Sequence, residues 1–332
     1  MRPSSRSLAL LTTLCCATTA SPTDAQACHY DDEPSSPELI ASYDAAALEV
    51  PESVATDYAG NLYVSLALTG EISRIDPAGN TEILASLPIA TPLEPCYDFV
   101  AGQTALTYTP FGLYVNVNSC DAEDRGIWWV SPYSGATAKV ASLPTETFAN
   151  GIAHRFGYLY VSDSFDGRIF RVPVWGGAPE IWVEDPLLDP VPNPVSPIAG
   201  NGVQFYGDEL YVSNSSTGQI IAFPLDVSQA AGAPRVHATL ADPCDDFAFD
   251  LFGTLYCGTN PVNTIVAVHP DGESEVVLSG DEFLDGPSSV AFGRFYDNRS
   301  LYITNASFPF YPNNGSPSVV RIELDVPGYP FR

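Results

Sequence analysis

Lysine is almost absent: one residue of 332, Lys139, and only 13 Lys or Arg stand against 40 Asp or Glu, for a formal net charge of −27. A surface of that sign repels phosphate backbones and anionic lipid, which excludes nucleic-acid binding and a polybasic membrane patch. Acidity marks no particular chemistry. Solubility or a salty habitat accounts for most of it, although it also concentrates cations near the surface. A sustained helical period is missing too, so long amphipathic helices are not expected. After residue 27 no apolar run is long enough to span a bilayer, so no integral membrane segment is expected. None of the seven cysteines has CxxC or Cys-His spacing, which leaves no structural zinc site.

Residues 1–27 have the layout of a secretory signal peptide: Arg2 and Arg6, an apolar stretch from Leu8 to Ala17, and the small-residue site Ala25-Gln26-Ala27. The expected location is secreted or periplasmic. Cys28 after the site raises a lipid anchor, but Ala25 stands where a lipoprotein signal calls for Leu. Removing the signal leaves Cys28, Cys96, Cys120, Cys244 and Cys257, enough for two bridges and one thiol in an oxidising compartment. Cys96 and Cys120, both in loops, are the preferred pair. Cys257, inside a strand, reads as a buried thiol.

What the chain does have is a repeat. Leu-Tyr opens a short apolar run at Leu62, Leu113, Leu159, Leu210, Leu255 and Leu301, at spacings of 51, 46, 51, 45 and 46 residues. Each copy holds four short β-patterned runs separated by Gly, Asn and Asp turns. Radially repeated four-stranded sheets with a period of about 40 to 50 residues define a β-propeller, so an all-β, six-bladed β-propeller is expected. The sixth repeat lacks room for its fourth strand after Val319–Asp325. The run from Glu38 to Tyr43 resembles the outer strand Glu82–Leu87, so the N-terminal segment is expected to complete the last blade and close the ring. The resulting division is a signal peptide at 1–27, an extension at 28–37 and one propeller domain at 38–332, expected to be a monomer.

In a propeller the first strand of each blade lines a central channel, and its upper end forms a rim. Counting back from each Leu-Tyr pair places Glu52, Gln103, Asn150, Asn201, Asp245 and Ser288 there. All six carry oxygen. Two carboxylates with amide oxygens suit a hard cation such as calcium, with zinc and manganese as the alternatives, and the missing thiolate and imidazole argue against a soft-metal site. Glu52, Asn150, Asn201 and Asp245 form the expected metal set.

The motifs Pro51-Glu52, Asn150-Gly151, Asn201-Gly202 and Cys244-Asp245 resemble those of the gluconolactonase and regucalcin-like family of six-bladed propellers. The resemblance implies a divalent metal, usually calcium, held by Glu52, Asn201 and Asp245 with Asn150 beside the metal or substrate. It also implies that Asp245 is the general base for water attacking a lactone carbonyl, with Asp246 as the fallback if the alignment shifts by one. The implied activity is a metal-dependent hydrolase of a lactone or similar cyclic ester, acting on a small molecule.

There are departures. The family's substrate-gripping Arg, two residues before the blade-3 Asn, is Phe148 here, and the Asp after that Asn is Gly151. With Tyr97 and Phe99, Phe148 points to a more apolar ligand. Gln103, Phe148, His154 and Ser288 are the expected substrate contacts, His154 reading also as a structural histidine on a channel strand. The strings Pro51–Ala55 and Gly60–Val64 also look like NHL repeats, whose propellers often only bind a protein or glycan partner. Strictosidine-synthase-like propellers fit less well, because Ser288 and Ser289 stand where their glutamate is needed.

Overall fold

The computed structural model describes residues 36–89, 102–192, 198–280, 283–309 and 313–330. Within them, six four-stranded antiparallel sheets follow one another along the chain. The inner strands are Pro51–Thr56, Gly102–Thr109, Ala149–Arg155, Gly200–Tyr206, Phe247–Phe249 and Pro287–Phe292. The sixth sheet closes as the sequence implies. Its outer strand is Glu38–Ser42, paired antiparallel with Ser318–Glu323 through Glu38↔Arg321 and Ser42↔Ser318, and Arg321 forms an ion pair with Glu38. Recruiting the N-terminal strand covers an edge that would otherwise offer unpaired backbone groups. Among the described residues no helix is long and apolar enough to cross a membrane.

The recurrence of Leu-Tyr has a packing cause. Successive side chains of a strand point to opposite faces of the sheet. Tyr63 therefore packs into the cluster shared by blades 1 and 2, beside Leu113 of blade 2, while Leu62 packs into the cluster shared with blade 6, beside Tyr302. The alternation continues around the ring, with Tyr114 beside Leu159, Tyr160 beside Leu210, Tyr211 beside Leu255, and Tyr256 beside Leu301. Each dipeptide fills one half of two neighbouring junctions. All twelve side chains are buried, and burying each contributes about 1.5–3 kcal/mol.

Cys244 and Cys257 form a disulfide with Cα atoms 5.8 Å apart, joining the start of blade 5 to its second strand. This corrects the reading of Cys257 as a free thiol: Cys257 pairs with Phe247 in the ladder, and the segment just before that strand brings Cys244 to it. Cys120 is also disulfide-bonded. Cys96, its expected partner, lies outside the described residues, as do Cys28, Tyr97, Phe99 and the signal segment.

Candidate metal and catalytic site in the channel

The rim is organised by hydrogen bonds between blades. Ser65 Oγ donates to the Thr104 carbonyl (3.0 Å), Asn116 Nδ2 to that of Asn150 (2.8 Å), Ser162 Oγ to that of Asn201 (2.6 Å) and Ser213 Oγ to that of Asp245 (2.9 Å). Thr304 Oγ1 donates to the Glu52 carbonyl at 3.3 Å, and the Asp246 N–H donates to the Ser288 carbonyl at 3.1 Å. Each blade thus grips the rim residue of the next. Four of the strands bulge at this level, between Pro51 and Ser53, Ala149 and Ile152, Gly200 and Val203, and Pro287 and Ser289, which turns the intervening side chain towards the axis.

The same pattern corrects one sequence expectation. In blade 2 the bulge falls between Gln103 and Leu106, and the gripped carbonyl belongs to Thr104, so Thr104 and not Gln103 is the counterpart of Asn150 and Asn201. The first hairpin of blade 2 is one residue shorter than that of blade 1, and a one-residue slip in a strand reverses the side chain's direction. Gln103 is fully buried, with neither amide atom hydrogen-bonded.

Glu52, Asn150, Asn201, Asp245, Asp246 and Ser288 line one cavity of about 10 Å³, room for a single water-sized body. Gly151 and Gly202 let the inner strands come this close: a Cβ on Gly151 would lie 2.3 Å from the Asn201 carbonyl oxygen, and one on Gly202 would lie 2.7 Å from Asp246 Oδ1. The two Asn-Gly pairs are therefore close-approach positions within strands, not turns.

Both amides turn their nitrogen into the wall. Asn150 Nδ2 donates to Ser164 Oγ (3.2 Å), and Asn201 Nδ2 to Ser215 Oγ (3.0 Å) and Asp245 Oδ1 (2.6 Å). Asn260 Nδ2 donates to Asp245 Oδ2 at 2.5 Å. Asp246 accepts from the Phe247 N–H (2.8 Å) and Ser289 Oγ (2.9 Å). The Glu52 carboxylate is different: its Oε2 is buried without a hydrogen-bond partner.

Three buried carboxylates around one small space hold their protons tightly. Burial pushes Asp245 up to about 7, against hydrogen bonds from Asn201 and Asn260, and pushes Asp246 up to about 6. Burial raises Glu52 well above the carboxylate range, and the nearby charges of Asp245 and Asp246 add to it. Among the described residues, no three His, Cys, Asp or Glu side chains make a ligand cluster by themselves. What the cavity offers is a mixed set of side-chain amides and of carboxylates whose protons a cation would displace. That set fits a hard divalent cation.

Of the other expected contacts, Ser288 lines the cavity while Phe148 and His154 lie elsewhere. Ser288 stands at the rim, but its hydroxyl donates to the Pro51 carbonyl at 3.2 Å. Phe148 is buried and stacked on Phe165, with ring centroids 5.3 Å apart, and is not among the residues lining the cavity. His154 is four residues beyond Asn150, about 13 Å along the strand, and lines a cavity at the lower end of the channel with Tyr58, Gln204 and Arg294. Sequence reasoning missed the buttresses Ser164, Ser215 and Asn260. Their signal was present, since each sits five residues after the Leu of its anchor.

No family model matches the chain, and no curated protein matches it. Solved structures do. A calcium-binding protein, regucalcin, from Agrobacterium tumefaciens superimposes with a TM-score of 0.66 at 14% identity, over 90% of this chain and 95% of that one. This chain has the regucalcin and gluconolactonase fold. A gluconolactonase from Xanthomonas campestris gives 0.61 at 16% identity, over 90% and 96%. An aldose sugar dehydrogenase from Streptomyces coelicolor, solved with PQQ bound, gives 0.60 at 15%, over 88% and 99%. At these identities the likeness is one of fold. Because the fold carries hydrolases and a dehydrogenase alike, function has to be argued from the site.

Proposed function

We propose that the protein is a secreted, metal-dependent hydrolase of a lactone or similar cyclic ester. The observation that carries this reading is the convergence of Glu52, Asn150, Asn201 and Asp245 on one buried cavity, with both amide nitrogens engaged by neighbouring side chains and Glu52 Oε2 lacking a hydrogen-bond partner. Glu52, Asn201 and Asp245 would hold the ion, with Asn150 assisting and calcium as the first candidate. A bound divalent cation supplies Lewis-acid polarisation of an ester carbonyl. Asn201 and Asn260 each engage one oxygen of Asp245, which fixes the carboxylate plane so that it can take a proton from water at the rim. Asp246 is likewise held, by bonds from Ser289 and the Phe247 N–H, and is the second candidate base. The loss of a sugar-gripping arginine at Phe148 favours an apolar lactone over gluconolactone. The Cys244–Cys257 bridge supports an oxidising compartment.

The deciding experiment is a panel of aliphatic, aromatic and sugar lactones assayed with calcium, zinc, manganese or chelator, on wild type and Asp245→Ala. Metal-dependent turnover lost in the variant is expected, with a fall of about 10² to 10⁴. Metal-independent turnover, or none on any lactone, would overturn the reading.

A further inference from the structure

In an antiparallel blade, the turn between the first and second strands and the turn between the third and fourth open on the same face, here the lower one. In blades 2 and 3 these four turns span residues 110–111, 131–136, 156–157 and 174–179, and they contain no Asp or Glu. In a chain of net charge −27 that is a local reversal. The turns carry aromatic tips instead: Tyr133 is 87% exposed, Trp175 76% and Phe156 67%. Trp175 stands edge-on to Phe111 at 4.6 Å, and the neighbouring guanidinium groups of Arg155 and Arg171 lie over Phe156 and Tyr158 at 5.1 and 4.9 Å. The nearest acids, Asp208 and Glu180, are ion-paired to those arginines.

Phe156 adds an independent sign. It occupies a left-handed conformation, φ 47°, in the two-residue turn Phe156-Gly157, where Asn, Asp or Gly would sit without strain. A bulky ring in a strained backbone position and mostly in water gives the fold little beyond the exposed contact with Arg155, while Asn would remove the strain.

We propose that the lower rim of blades 2 and 3 docks on the interface of an electrically neutral membrane, with Phe111, Tyr133, Phe156 and Trp175 seated at headgroup level. Trp and Tyr favour that layer, and arginine stems lie along apolar surface while keeping the charge in water. The remaining acidic surface opposes an anionic bilayer, so a zwitterionic one is specified. A second copy fits less well, because it would bring a second charge of −27 against the first.

The test is co-sedimentation of the full chain with phosphatidylcholine vesicles, with and without phosphatidylglycerol, read together with tryptophan emission. Partition to the neutral vesicles, a blue shift and weaker binding to the anionic ones are expected. Trp175→Ser should weaken partition at least tenfold without lowering the melting temperature. Phe156→Asn should weaken it while raising the melting temperature, an outcome that misfolding cannot produce. Phe252→Ser, on the acidic lower turn of blade 5, should bind like wild type. The proposal is overturned if wild type ignores neutral vesicles, if both variants bind as wild type, or if sedimentation velocity reveals a dimer that Trp175→Ser dissolves.

Discussion

Asn201 Nδ2 donates to Asp245 Oδ1 at 2.6 Å across the junction of blades 4 and 5, and Ser162 of blade 3 holds the Asn201 carbonyl from the other side. The orientation of the proposed base is thus set by two other blades. Asn201→Ala should lower turnover about 10²-fold or more, both by freeing Asp245 and by removing an amide from the cavity. The double variant with Asp245→Ala should be little worse than Asp245→Ala alone, because the two residues act as one unit. Steady-state kinetics on the responding lactone would check this, and additive losses would contradict it.

Glu52 should trade stability for binding. Its buried carboxylate, with Oε2 unpartnered, costs about 1–3 kcal/mol in the metal-free protein, so Glu52→Gln should raise the melting temperature in chelator. In calcium the order should reverse: a ligand at a hundredfold excess over Kd adds about 2.7 kcal/mol to wild type, and the variant should gain much less. Differential scanning calorimetry with calcium and with chelator reads both signs.

The Cys244–Cys257 bridge closes a loop of sequence separation 13 and immediately precedes Asp245. Its removal should cost about 3 kcal/mol by the chain-entropy account. Cys257→Ser should also weaken calcium binding, since the segment carrying Asp245 loses its tether. Isothermal titration with and without reductant would show this, and unchanged affinity would separate the bridge from the site.

His154 and His237 are both held below the usual histidine range, in each case chiefly by burial. A depressed histidine binds fewer protons folded than unfolded, so its contribution to stability is present above about pH 6.5 and is lost as pH falls through the folded value. The raised carboxylates of Glu52, Asp245 and Asp246 act in the opposite sense, so the histidine share is read by difference: the melting temperature of a His154→Gln, His237→Gln protein should gain on wild type as pH falls below 6.5. His154→Gln alone should leave the metal response intact, as it lies at the other end of the channel.

The sequence by itself determined the ring. A Leu-Tyr pair fills two junctions at once, so its six recurrences announce six blades, and the missing last strand announces closure by Glu38–Ser42. That Glu52, Asn150, Asn201 and Asp245 meet at one cavity was legible for a similar reason, since each stands nine or ten residues before the Leu of its anchor. Tertiary structure decided the rest. Thr104 displaces Gln103 because a hairpin one residue shorter shifts register, and no count from the anchor reveals which hairpin is short. Cys257 finds Cys244 in the segment before the first strand of blade 5, and Phe148 finds Phe165, through contacts that depend on how neighbouring segments pack. The orientation of the Asn150 and Asn201 amides depends on Ser164 and Ser215, residues whose role exists only once two strands stand side by side.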